Sequence, residues 1–141
     1  MTPEALARAC ADAMWADDRA SAGLGMILTA VAPGRAEITM RVRDEMVNGL
    51  GLCHGGFIFT LADSTMAFAS NSHGERAVAQ HAAIDFLRPG KRGELLTARA
   101  EERARAGRNG LYDVRVTGED GTIVAEFRGQ TRTIGKFFAE D

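Results

Sequence analysis

The sequence predicts an α+β fold in which an antiparallel sheet wraps around one long buried helix. Three observations carry this. From Met46 to Gly74 the chain holds a single formal charge, Asp63, although 26% of its residues are Asp, Glu, Lys or Arg. At that average the window would hold roughly seven, so it reads as interior. Within it, Gly55–Ser70 reads as a helix that is apolar nearly all round, as a helix covered on more than one side must be. The segments that follow alternate polar and apolar residues between glycine-rich turns, the pattern of half-buried strands. One long helix followed by sequentially paired strands packs as a sheet around that helix.

Each element has a local cause. Thr2 is placed to cap a helix that begins at Pro3, with Glu4 in the first turn where the helix dipole favours an anion. That helix runs to about Trp15, and Gly23 to Gly25 break the chain after it. Pro33-Gly34 is a turn. From Arg35 to Val42 the chain alternates Ala36, Ile38, Met40 and Val42 against Arg35, Glu37, Thr39 and Arg41, which predicts a strand. Asn48 to Gly51 reads as loop, and His54-Gly55-Gly56 opens the long helix.

Projected at about 100° per residue, Phe57, Ile58, Leu61, Thr65, Phe68 and Ala69 share one helix face. Phe59, Met66, Ala67 and Ser70 lie opposite, with Asp63 among them. The chain's own sheet can cover one side, so the other is expected to need a second body. Val78–Leu87 predicts the next strand, ended by Arg88-Pro89-Gly90. A strand over Glu94–Arg105 and a turn at Gly107-Arg108-Asn109-Gly110 come next. Tyr112, Val114 and Val116 mark another strand, Gly118 to Gly121 a hairpin, and Ile123–Ile134 the last strand.

Composition narrows the function. At 141 residues the chain suits one domain, taken as 1–141. A net charge of −2 and a pI near 5.9 give no basic field for nucleic acid or an anionic membrane. No run of 18 apolar residues suggests a membrane span, and the N-terminus has no signal-peptide pattern. Two cysteines, Cys10 and Cys53, make no disulfide framework and fit reduced thiols in the cytoplasm. His54, His73, His81 and Cys53 show no zinc spacing, so no metal is expected. No Rossmann or phosphate loop points to a nucleotide cofactor.

Asp63 is the residue that needs explaining, because a lone carboxylate in an apolar stretch costs free energy unless paired or protonated. Asn48, His54-Gly55-Gly56, Asp63 eight positions after Gly55, the segment Ile84 to Gly90 (IDFLRPG) and Phe127 to Gly129 (FRG) together resemble the hotdog-fold acyl-CoA thioesterases. The likeness is to the branch associated with phenylacetate degradation. It implies hydrolysis of phenylacetyl-CoA or ring-hydroxylated relatives, with no cofactor beyond the coenzyme A carried by substrate and product.

The resemblance implies that Asp63 acts as general base or nucleophile and that Gly55 offers its N–H to the developing oxyanion. A helix N-terminus has free donors and a dipole suited to that task. Asn48 and His54 join them, Asn48 orienting water or carboxylate. Read bottom-up, Asn48 is also a plain turn residue and His54 also a loop-orienting one. Gly56, Phe59 and Met66 are implied on the substrate side. Arg88, Pro89, Arg105, Gly107, Arg108 and Asn109 are implied at the coenzyme phosphates, which suit arginine forks. The acyl site is expected between subunits of a homodimer or tetramer of dimers. Two rival readings remain: a hotdog 3-hydroxyacyl-thioester hydratase or dehydratase, and a non-enzymatic acyl-CoA sensor. The first resembles a pattern with proline at the helix start, absent between Pro33 and Pro89; the second has no need of a buried carboxylate.

Overall fold

Thr2 caps the first helix as its sequence implies: its hydroxyl accepts the Ala5 N–H at 3.1 Å, and α1 runs Pro3–Asp17. The chain is described here by a computed structural model covering residues 1–138; positions 139–141 of the range expected as one domain lie outside the described residues. A short α2, Arg19–Gly23, follows, capped by the Asp18 carboxylate on the Ser21 N–H.

The described strands are β1 (Ile27–Ala32), β2 (Arg35–Arg41), β3 (Glu75–Phe86), β4 (Leu95–Ala106), β5 (Asn109–Thr117) and β6 (Ile123–Lys136). They form one antiparallel sheet in the order β1-β2-β4-β5-β6-β3. The central helix α3 occupies Gly55–Ser70 and packs on strands across the sheet. This is the wrapped-helix layout read from the sequence, with two additions. Strand β1 and helix α2 were not expected. The burial of β1 does not alternate and a bulge breaks its register with β2, so it lacks the period-two signal of its neighbours.

The core lies between α3 and the sheet, with Ile38, Met40, Leu96, Val114, Val116 and Phe127 meeting Ile58, Leu61 and Phe68. Trp15 of α1 stacks on Phe68 at 5.9 Å, closing one end. The two-sided reading of α3 needs correcting. Met66 is 1% exposed inside the chain's own core, and Phe59 packs edge-on against Phe127 at 5.4 Å. The sheet curls far enough for β6 to cover that flank. Gly129 makes the closure possible: a Cβ there would overlap the Met66 sulfur. What the sheet leaves less covered is a narrow stripe at helical spacing, Gly56, Thr60, Asp63 and Ala67.

Candidate active site

The loop before α3 is built to hold its first turn still. The Asn48 side-chain oxygen accepts the N–H groups of Leu50 (2.9 Å) and Leu52 (3.2 Å), and its backbone N–H donates to the Leu52 carbonyl at 2.7 Å. Cys53 N–H donates to the Gly90 carbonyl at 2.9 Å, tying the loop to the β3–β4 turn, and His54 N–H donates to the Met46 carbonyl at 2.8 Å, closing the loop on its own start. His54 then serves as N-cap, its Nδ1 accepting the Gly56 N–H at 3.0 Å. That contact requires Nδ1 to be unprotonated.

With Gly56 engaged by His54, the Gly55 N–H is left with no partner among the described residues. It is the donor at this helix end free to meet a ligand oxygen. Phe86, the last residue of β3, limits the space beside it. A Cβ on Gly55 would sit 3.0 Å from the Phe86 Cζ, so glycine is the residue that lets ring and helix approach this closely.

Asp63 sits two turns further along α3, half-buried, and no described side chain or backbone group hydrogen-bonds its carboxylate. Burial pushes its pKa above the ordinary 3.8. Such a group is an unneutralised base poised on an open stripe. The other candidate nucleophiles around α3 are poor ones. Ser64 turns toward α2 and shares a 2.9 Å hydrogen bond with the Ser21 hydroxyl, which donates to Asp18 at 2.7 Å. Cys53 is a buried thiol pushed up to about 11 by desolvation and the nearby Glu94 carboxylate, so it stays protonated at neutral pH.

Asn48, His54, Gly55 and Gly56 are thus gathered at the start of α3, while Asp63 stands apart. At 1.5 Å rise per residue it lies about 12 Å along the axis from Gly55. Phe59 and Met66, expected beside the acyl group, face β6 instead, Met66 entirely within the core.

The basic turns also differ from expectation. Arg88 is not free for phosphate: its guanidinium bonds Glu94 at 2.8 and 3.1 Å, the Thr122 hydroxyl at 2.7 Å, the Pro89 carbonyl at 2.7 Å and Asp120 at 3.3 Å. It clamps the β3–β4 turn to the β5–β6 hairpin and holds the Glu94 carboxyl below its usual range. Arg105 pairs with Glu102 at 3.2 Å, Asn109 accepts from Gln80 at 2.8 Å, and exposed Arg108 accepts the Thr133 N–H on its backbone carbonyl while its guanidinium has no partner among the described residues. Pro89 and Gly107 are exposed turn residues. These two turns stand at opposite ends of β4, roughly 35–40 Å apart along the strand. Within one chain they cannot border the same phosphates.

The feature sequence reading missed is Phe86. It lies inside the quoted IDFLRPG segment, but nothing local marks it, since its proximity to Gly55 arises from a contact across the fold. Among the described residues no three His, Cys, Asp or Glu converge as a metal site would require.

The thioesterase superfamily model matches residues 50–125, a span containing Gly55 and Asp63. The acyl-coenzyme A thioesterase PaaI of Escherichia coli is 42% identical over 125 residues, covering 89% of each chain. The structure of E. coli PaaI, from the phenylacetic acid degradation operon, superposes with a TM-score of 0.94 at 40% identity over 96% of this chain and 98% of that one. A Streptococcus mutans protein solved bound to acetyl-CoA reaches 0.76 at 30% identity, over 79% and 90% of the two chains. With its six-stranded antiparallel sheet wrapped around α3, this chain belongs to the thioesterase superfamily and has the hotdog fold.

Proposed function

We propose that this chain hydrolyses acyl-CoA thioesters, with arylacetyl groups such as phenylacetyl or hydroxyphenylacetyl favoured, at a site shared by two copies of the chain. The observation that carries this is the half-buried Asp63 carboxylate, which has no partner among the described residues. The E. coli PaaI relative is an acyl-coenzyme A thioesterase.

In the reaction, the thioester carbonyl oxygen accepts from the Gly55 N–H and becomes the oxyanion. Asp63 either takes a proton from water as that water attacks the carbonyl carbon, or attacks it directly to give an anhydride that water then opens. In both routes the C–S bond breaks, the thiolate is protonated, and acid plus coenzyme A leave. Direct attack needs an ionised carboxylate oxygen about 3–3.5 Å from the carbonyl carbon, and the general-base route needs it one water further away. The separation along α3 prevents Asp63 and Gly55 of one chain from meeting that demand together.

A second copy supplies the geometry. Strand β3 ends the sheet with an unpaired edge 12 residues long and exposes side chains on both faces, as an edge awaiting another strand does. Pairing with a second β3 sets two α3 helices side by side in opposite directions, bringing Asp63 of one toward Gly55 of the other. Buried Met66 takes no part in such an interface. Arg105 and Arg108 of one copy would approach the β3–β4 turn of its partner and take the coenzyme phosphates, with no cofactor otherwise required. A reducing cytoplasm suits the two free buried thiols. No described helix is long and apolar enough to cross a membrane.

Complementation tests the shared site. Asp63→Asn removes the carboxylate; Gly55→Pro removes the N–H at a helix position where proline is tolerated and crowds Phe86 of the same chain, so it disables only the Gly55 half of a site. Each variant alone should release little free thiol from phenylacetyl-CoA. Co-assembled in equal amounts, random pairing restores one intact site in half the dimers, about a quarter of wild-type activity. No recovery in verified mixed assemblies would place the site within one chain, and no thiol release from any acyl-CoA by the wild type would sink the hydrolase reading.

A further inference from the structure

Phe86 lies on the helix-facing side of β3, opposite buried Ala125 in the register with β6. Yet it is 51% exposed, an unusual state for a phenylalanine on the inner face of a sheet. Its ring points at the first turn of α3, with Cζ 3.0 Å from the Cβ position of Gly55. Adding the short N–Cα–Cβ span of standard geometry puts that edge within about 5.5 Å of the unpartnered Gly55 nitrogen.

The backbone carrying this ring is held firmly. Leu87 N–H donates to the Val124 carbonyl at 2.8 Å, and the Arg88–Glu94 pair fixes the turn that follows. On the other side, the Cys53–Gly90 hydrogen bond joins the same turn to the loop that presents Gly55. Ring and N–H are therefore held in register by contacts on both flanks. Arg88 thus fixes the turn that begins two residues after the ring.

We infer that Phe86 is a specificity-determining residue whose exposed ring forms the aromatic wall for the acyl group of a thioester bound at Gly55. The inference rests on the proposed thioester site and adds the feature that selects the acyl group. A carbonyl oxygen at hydrogen-bond distance from the Gly55 N–H places the acyl carbons next to the ring. In an arylacetyl group the aromatic ring begins one methylene beyond the carbonyl. It therefore falls within the roughly 4.5–7 Å centroid separation at which offset or edge-on pairs are favourable. A straight chain passing the same wall gains ordinary apolar contact without that preference. Phe59 and Met66, the residues the sequence suggests for this role, are turned toward β6 by the fold.

The test compares phenylacetyl-CoA with hexanoyl-CoA in the wild type, Phe86→Leu and Phe86→Tyr. The aromatic-to-straight-chain ratio of kcat/KM should fall about 3–10-fold in Phe86→Leu, which keeps apolar bulk, and stay within about two-fold in Phe86→Tyr, which keeps the ring. The same ratio is read from dissociation constants by titration calorimetry on the hydrolysis-deficient Asp63→Asn background. An unchanged ratio in Phe86→Leu by both readouts overturns the inference even if the wild type is a proficient thioesterase, as does loss of the preference in Phe86→Tyr. Failure of the hydrolase reading shows separately, as absent thiol release from the wild type, while the binding ratio still decides the role of Phe86. Absence of acyl-CoA binding altogether overturns both.

Discussion

Replacing Asp63 by Asn removes the ionisable oxygen at nearly constant shape, and the two consequences have opposite signs. Chemistry is lost, since an amide is neither a base nor a nucleophile at this site. Removing such a group should lower kcat for phenylacetyl-CoA by at least about 10²-fold, some 2.7 kcal/mol of transition-state stabilisation. Stability is gained. Burial raises the Asp63 pKa above 3.8, so the folded protein prefers the protonated acid while the unfolded chain ionises freely. Its favourable contribution is present below 3.8 and is lost as pH rises through the folded value, leaving a net cost at pH 7.

With no hydrogen bond to offset that cost and with partial exposure to reduce it, the penalty is about 1 kcal/mol. In a chain of this size that is worth roughly 3–5 °C in Tm. Scanning calorimetry at pH 7 should therefore show Asp63→Asn melting higher than the wild type, with the gain shrinking as pH falls toward 4. Protein concentration is held constant because association shifts Tm. Turnover within ten-fold of wild type would remove Asp63 from the chemistry. A lower Tm at pH 7 would mean that the carboxylate has a stabilising partner, contrary to its isolation among the described residues.

Arg105→Ala with Arg108→Ala should raise KM for acyl-CoA several-fold more than for a pantetheine thioester lacking the nucleotide, as loss of a charge-assisted phosphate contact would; equal effects on both substrates would remove that turn from the coenzyme site. Arg88→Ala should instead cost about 1.5–3 kcal/mol of stability by leaving Glu94 without its counter-ion and held only by the Lys91 and Glu119 N–H groups, without a preferential effect on the nucleotide-bearing substrate. Because Arg88 lowers the Glu94 pKa, that stability is present above 4.5 and fades as pH falls through the lowered folded value, so the drop in Tm should be larger at pH 7 than at pH 3. Gly129→Ala should destabilise by about 1–3 kcal/mol in denaturant unfolding, because the added methyl overlaps the Met66 sulfur; an unchanged midpoint would show that Met66 repacks freely.

The sequence by itself determined the span of α3, the isolation of Asp63 and the start of the helix at His54-Gly55-Gly56. Each is a local property: apolar periodicity, one charge where several are usual, and glycines at a capped helix start. The bounds of β2 and of the four strands after α3 were legible within a few residues for the same reason, because alternation needs only near neighbours.

Only the tertiary structure decided which flank of α3 stays open. Met66 and Asp63 are close in sequence and on a similar side of a bare helical projection. Yet the curl that brings Gly129 over Met66 buries one and leaves the other on the open stripe. Tertiary structure likewise turned Arg88 inward onto Glu94, set the two basic turns at opposite ends of β4, and brought Phe86 to Gly55 across 31 positions of chain. The physical reason is common to all of these. A side chain's periodicity records that it must be covered, whereas the strand that covers it, and the neighbour it then meets, follow from sheet curvature and pairings between residues far apart in sequence.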